Sequence, residues 1–352
     1  MMYEKILNSS SPIIPDDWLQ IKTIDLHTGG EPLRVVLSGF PELVGDTVLE
    51  RRRYCQEHYD HLRTALMFEP RGHADMYGTI LTPPNEPDGD FGMIFFHNEG
   101  YSTMCGHAVI AIGTLAAQMG WISNTDGEHH IKIDAPCGRI NAFTSIVDWR
   151  VQEVRFHCVP SFVIGLDKTV TIKGLGEITY DLSYGGAFYA YVDLSKNPQI
   201  VDLDKSNVDT IIHQAMQIKR AVISSDNSII HPFEEELCSL YGTIFIDPKP
   251  TASADNMNVC VFADGEVDRS PTGSGVSGRM AIHYARQELA LNQSMSIESI
   301  TGSIFHGKII SETNYGPHTA VIPEVTGTAH ITGEHTFIID PNDPMRVGFL
   351  VR

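Results

Sequence analysis

Two short segments gather residue types that can do chemistry. Met104-Cys105-Gly106-His107-Ala108 sets a thiol, a glycine and an imidazole where the apolar run Ala108 to Met119 begins, which reads as the first turn of a helix. A helix N-terminus lowers a cysteine's pKa and offers free N–H groups to an anion. The segment therefore suits a thiolate base beside a bound carboxylate, against the plainer reading of Cys105 as a small core residue. Asp268-Arg269-Ser270-Pro271-Thr272-Gly273-Ser274-Gly275 reads as a second helix start. Gly273, Gly275 and Gly278, with Glu298 twenty residues on, match the dinucleotide spacing. A polar Asp-Arg-Ser-Pro segment, not a first βαβ strand, leads into these glycines, which favours an anion-binding helix start of a more general kind. Asp268 also reads as a plain turn residue.

The elements that must carry these segments are legible from periodicity. Leu33 to Leu37, Met93 to Phe96, Ile131 to Ile133, Ala187 to Val192 and Val259 to Phe262 read as strands. Thr47 to Leu66 and Asp209 to Val222 read as amphipathic helices. Ala108 to Met119 is apolar nearly all round, so it should be a central helix enclosed by sheet, stopped by Gly120. Laid over itself at an offset of 272 − 105 = 167 residues, the chain sets Met93-Ile94-Phe95-Phe96 on Cys260-Val261-Phe262-Ala263, Glu99 on Glu266, and Cys105 on Thr272. This faint repeat predicts two similar α/β lobes. The first is residues 1–181, carrying Cys105; the second is 182–336, carrying Asp268 and Thr272; the turn at Asp181 to Gly186 divides them and the segment 337–352 returns to the first.

Composition narrows the function classes. The 352 residues allow about two domains of ~150. The net charge of −19 comes without a basic stripe, which argues against nucleic acid and anionic membrane surfaces. The six cysteines, Cys55, Cys105, Cys137, Cys158, Cys238 and Cys260, form no C-x-x-C pair and read as thiols. The N-terminus, Met1 to Trp18, has no signal-peptide pattern, and the longest apolar stretch is shorter than the ~20 residues of a membrane span. A cytoplasmic protein is expected.

With these residues in place, the sequence resembles the proline racemase superfamily, whose members pair a Cys-Gly-His helix start with an Asp-Arg-Ser-Pro-Cys-Gly-Thr-Gly one. Matching stretches run through most of the chain: Ile24 to Pro32 (IDLHTGGEP), Glu69 to Gly78 (EPRGHADMYG), Met104 to His107, Tyr184 to Tyr189 (YGGAFY) and Asp268 to Gly275. The resemblance implies an α/β (α+β) fold of the diaminopimelate-epimerase type, with a mixed sheet around a central helix in each of two lobes and a site between them. It also implies a cofactor-free homodimer. Racemases of the family use two cysteines on opposite faces of the substrate's α-carbon. Cys105 matches the first, but Thr272 stands where the second would be.

An alcohol does not ionise near neutral pH, so Thr272 is a poor proton donor or acceptor for a carbanion. The Cys-to-Thr pattern resembles the trans-3-hydroxy-L-proline dehydratases of the family. It implies that Cys105 takes the Cα proton and the β-hydroxyl leaves, giving Δ1-pyrroline-2-carboxylate. It assigns the substrate carboxylate to the N–H groups of Gly106, His107, Gly273 and Ser274, the ring ammonium to Asp268, and the leaving hydroxyl to Thr272. A proline or hydroxyproline racemase or epimerase and a non-catalytic binder of proline-like anions remain as rivals. A metal site using His73, Asp75 or His129-His130 lacks the usual ligand spacing. A Cys-His hydrolase is disfavoured because residues two apart on a helix project about 200° from each other, and Phe188, Tyr189, Phe262 and Phe305 read as core more readily than as substrate wall.

Overall fold

A computed structural model describes residues 2–8, 12–249, 251 and 253–351; residue 1 of the first expected lobe and residue 352 of the segment expected to return to it lie outside them. Five α-helices are present among the described residues: α1 (Met2–Leu7), α2 (Val48–Met67), α3 (Gly106–Gln118), α4 (Val208–Ser225) and α5 (Gly273–Ala285). The Thr47 hydroxyl accepts from Glu50 N–H while the Glu50 carboxylate accepts from Thr47 N–H, a capping box that opens α2 one residue after the expected start. None is long and apolar enough to cross a membrane.

The strands form two ring-like sheets joined along one edge, of which pairing closes the second. The first runs, by pairing, Ala329–Ile339, Leu19–Thr28, Glu31–Ser38, Tyr77–Thr82, Phe91–His97, Gly127–Ala135, Gly138–Val147 and Arg150–His157. The second runs Ser161–Ile172, Gly176–Tyr184, Phe188–Asp193, Leu240–Asp247, Asn256–Phe262, Ser294–Glu298, Ile304–Tyr315 and His318–Gly327. It closes where Ala320 pairs Phe162, and Glu324 opposite His157 joins it to the first. In each ring the third and fourth strands are parallel, as are the fifth and sixth. Each such pair needs a crossover: α2 and α4 supply one kind outside, α3 and α5 the other within.

Pairing moves the crossing points away from those expected. The turn at Asp181 to Gly186 lies inside the second ring, because Ser161–Ile172 and Gly176–Tyr184 pair with each other. The chain changes rings near residues 158–160 and returns by residue 329, eight residues before 337. Twisting β-ribbons carry no hydrophobic break where they pass from one ring to the next, so composition offered no marker there.

Inside the rings, α3 is buried from Gly106 to Ala117, which is why it needs no polar face. Gly120, at φ +69, stops it as expected. Gly106 and Gly273, like Gln118 and Ala285, are 167 residues apart, so α3 and α5 are the same element of the repeat.

Candidate active site

The two inner helices meet head to head. A Cβ on Gly106 would lie 2.6 Å from Gly273 Cα, and one on Gly273 would lie 2.7 Å from Gly106 Cα. Two glycines thus bring both N-termini into backbone contact, pooling first-turn N–H groups and two positive dipole ends at one point. The remaining glycines of the dinucleotide-like pattern serve packing instead. A Cβ on Gly275 would meet Ile244 Cδ1 at 2.4 Å, and one on Gly278 would meet the Tyr191 hydroxyl at 2.3 Å.

The residue before each glycine faces a cavity of about 20 Å3 between the lobes. Cys105, Gly106 and His107 line it from α3; Asp268, Thr272, Gly273 and Ser274 line it from the α5 start; Tyr77, Met104, Tyr189, Tyr241 and Phe262 complete the wall. All seven residues singled out in the sequence therefore meet in one place. Phe188, Tyr189, Phe262 and Phe305 are all buried in the core, as expected, and Tyr189 and Phe262 also line the cavity.

Cys105 is the N-cap of α3, at φ −143 and ψ 99. From this extended backbone its Sγ reaches 3.2 Å from His107 Nδ1. The 200° separation argued from helical spacing fails because Cys105 stands outside the helical turn. The imidazole also bonds to the Pro32 backbone, and burial lowers its pKa to about 3, so it is neutral at pH 7. Burial pushes the Cys105 thiol well above its ordinary value; the Ala108 N–H opposes this and Asp268 and Glu31 reinforce it. The helix start alone, contrary to the expectation of a lowered pKa, does not make a thiolate in the closed cleft.

Thr272, the N-cap of α5, sits at φ +68. For a β-branched residue this is a strained conformation, costing ~1–3 kcal/mol. It is held by hydrogen bonds: Thr272 Oγ1 donates to Asp268 Oδ2 at 2.8 Å, Thr272 N–H to Ser270 Oγ at 3.2 Å, and Ser270 N–H to Asp268 Oδ1 at 2.7 Å. Asp268 is buried, and its carboxyl is raised by that burial against the pull of these bonds.

A residue that the sequence reading quoted only within a motif adds a second carboxyl. Glu31 is fully buried; its Oε2 accepts from Arg269 N–H at 2.7 Å, while Oε1 has no partner among the described residues. Burial, then Asp268, raise its carboxyl well above the usual range. Gly29 and Gly30, at φ +62 and +94, form the hairpin tip that carries Glu31 across to the other lobe, where Thr301 Oγ1 donates to Gly29 O at 3.0 Å. The Asp75–Arg269 pair at 2.8 Å and His97–Glu266 at 3.1 Å also span the lobes. The repeat offered a signal for this seam, since Glu99, matched to Glu266, donates its N–H to that carboxylate at 3.3 Å.

Glu31, His107 and Asp268 place one potential ligand atom each within 4.8 Å of one another. The set does not suit a metal: both Asp268 oxygens are engaged by Ser270 and Thr272, and the imidazole by Cys105 and Pro32. Among the described residues, His73, Asp75 and His129-His130 join no ligand cluster.

The proline racemase family model matches residues 23–350. A trans-3-hydroxy-L-proline dehydratase of Colwellia psychrerythraea is 48% identical over 337 residues, which cover 96% of this chain and 94% of that protein. A 3-hydroxyproline 2-epimerase of Burkholderia multivorans is 47% identical over 332 residues, covering 94% of this chain and 98% of that protein. The crystal structure of a hydroxyproline epimerase from Agrobacterium vitis with bound trans-4-hydroxy-L-proline aligns with a TM-score of 0.87 at 27% identity, covering 96% of each chain. With the fold, the paired helix starts and these matches in agreement, the chain belongs to the proline racemase family.

Proposed function

We propose that this chain is a hydro-lyase that converts trans-3-hydroxy-L-proline to Δ1-pyrroline-2-carboxylate and water. The observation that carries the reading is the asymmetry of the two helix starts: a thiol at Cys105, and a hydroxyl at Thr272 already committed to Asp268. The cavity, at about 20 Å3, is too small for a proline ring, so binding requires the lobes to part and close again. The substrate carboxylate then lies against the N–H groups of Gly106, His107, Gly273 and Ser274. Its ammonium faces Asp268. That cation offsets the buried carboxyls that hold the thiol proton in place, so closure on the zwitterion favours the Cys105 thiolate.

Cys105 removes the Cα proton. No group of suitable acidity stands at Thr272 to reprotonate the other face, so the carbanionic species expels the β-hydroxyl. The first product is an enamine, Δ2-pyrroline-2-carboxylate, which tautomerises to the Δ1 imine. Activity without a cofactor, a homodimer and a cytoplasmic location belong to the same reading; the six cysteines, all unpaired, suit a reducing compartment.

The 47% identical epimerase gives a second reading, inversion at Cα to cis-3-hydroxy-D-proline. Against it, among the described residues no cysteine lines the cavity on the Thr272 side, and Cys260 is fully buried. Incubation with trans-3-hydroxy-L-proline, followed by reductase-coupled imine detection and chiral chromatography, separates the two. The imine should form without the D-epimer. Cys105→Ser should lower turnover by ~10³ or more while still binding pyrrole-2-carboxylate. Absence of imine with the wild-type protein would sink the dehydratase reading.

A further inference from the structure

The stereochemistry of the substrate decides where the leaving group's proton must come from. In trans-3-hydroxy-L-proline the carboxylate and hydroxyl lie on opposite faces of the ring, so Cα–H shares a face with the hydroxyl. If Cys105 takes that proton, the elimination is syn, and the departing oxygen lies on Cys105's side. Thr272, on the opposing helix start, faces the other way. This inference rests on the dehydratase reading above.

Three groups stand near Cys105 on the N-terminal lobe. His107 is neutral and bonded to the Pro32 backbone, and the Tyr77 hydroxyl is bonded to Ser102. Burial raises the Tyr77 phenol further, so neither is an effective acid. The third is Glu31, fully buried, with Oε2 fixed by Arg269 N–H and Oε1 left without a partner among the described residues. Its carboxylate lies within 4.8 Å of both the His107 ring and Asp268. We propose that Glu31 is the catalytic acid that protonates the departing 3-hydroxyl.

The step balances. The Cα–H bond breaks, its proton going to the Cys105 thiolate and its electron pair becoming the Cα=Cβ bond. The Cβ–O bond breaks with its pair on oxygen, which takes the Glu31 proton and leaves as water. The enzyme is left with a Cys105 thiol and a Glu31 carboxylate; when the next zwitterion binds, one proton moving from thiol to carboxylate restores the reactive pair. Burial disfavours the charged form of Glu31 and so favours that transfer, which loads the acid for the turnover.

The test compares Glu31→Gln with the wild-type protein on trans-3-hydroxy-L-proline and on trans-3-fluoro-L-proline, whose fluoride leaves without a proton. Glutamine keeps an acceptor for Arg269 N–H. Expected are a loss of dehydration of ~10² or more, fluoride release within about threefold of wild type, and continued deuterium wash-in at Cα in D2O. Dehydration that survives the substitution, or equal losses on both substrates, would overturn the proposal.

The wild-type protein supplies a second readout. Its pH profile should show an alkaline limb with the hydroxy substrate that is missing with the fluoro substrate. The groups facing Glu31, namely Asp268, Arg269, Asp75, His107 and Cys105, are common to both reactions, so a shared limb belongs to them and refutes the assignment. A wild-type protein that forms no imine from the hydroxy substrate refutes the dehydratase reading itself, a result distinct from either of these.

Discussion

Replacing Gly106 with alanine sets two local effects against each other. Alanine is a better helix former than glycine by up to ~1 kcal/mol, so propensity alone would make Gly106→Ala neutral or stabilising. The new Cβ, however, would lie 2.6 Å from Gly273 Cα and 3.0 Å from Gly273 C, both backbone atoms that cannot rotate away. Ordinary contact begins near 3.4 Å, so the helix starts must separate by about 0.8 Å. Overpacking of this kind costs ~1–3 kcal/mol, which outweighs the propensity gain. The same shift moves the N–H groups of Gly106 and His107 away from those of Gly273 and Ser274. A misplacement of ~1 Å at a catalytic centre lowers the rate by ~10². The variant should therefore melt below wild type and lose about that factor in kcat/KM in the reductase-coupled assay. Gly273→Ala, whose Cβ would lie 2.7 Å from Gly106 Cα, should behave alike. A Gly106→Ala protein at least as stable as wild type, with kcat/KM within about twofold, would refute the reasoning that the site depends on this glycine contact.

Two further outcomes follow from the geometry. Thr272→Cys supplies a thiol on the second helix start and removes β-branching at φ +68; it should bring Cα deuterium incorporation with inversion in proline recovered from D2O, and a variant with no such exchange would show that the hydroxyl is not what blocks inversion. Glu324 lies at the joint between the rings, where burial raises its carboxyl but hydrogen bonds from His157 and Lys308, with the Arg155 charge, bring it down to about 2. A carboxyl held low in the folded protein adds stability above its unfolded pKa and loses it as pH falls toward the folded one. Wild type should therefore lose thermal stability from about pH 4.5 towards pH 2, more steeply than Glu324→Gln; parallel melting curves for the two proteins across that window would contradict this.

Most of the candidate site was legible because its residues lie at helix starts, which periodicity can locate. Cys105 and Thr272 became equivalent through the repeat, before any strand was paired. Three things depend on pairing and closure and were not legible. The rings change near residues 158–160, since strand order leaves no compositional trace. The Cys105–His107 contact needs the extended N-cap backbone that a helical wheel does not contain. The wall residue Tyr241 lies distant in sequence from both motifs and carries no motif of its own. Glu31 was in view, as part of a Gly-Gly-Glu-Pro run, but its burial against Arg269 appears only once the hairpin tip meets the opposite lobe.

The charge of the cleft is the last link between sequence and substrate class. A chain with a net charge of −19 gains nothing from its overall field when it binds a carboxylate. Among the described residues, two buried carboxyls, Glu31 and Asp268, stand beside the cavity, and the Arg269 guanidinium turns instead to Asp75. On the proposed reading, anion capture falls to partial charges, the two helix dipoles and their first-turn N–H groups. A simple carboxylate would add a negative group beside two carboxyls that burial already holds back from ionising. A zwitterion brings the missing cation with it, so its ammonium relieves the carboxyls while its carboxylate meets the helix starts. The same arrangement ties chemistry to recognition, because only a ligand carrying that cation lowers the cost of ionising Cys105. On the proposed reading, the cleft is electrostatically suited to amino acids among α-substituted acids, and Cys105 acts as a base only after one is bound.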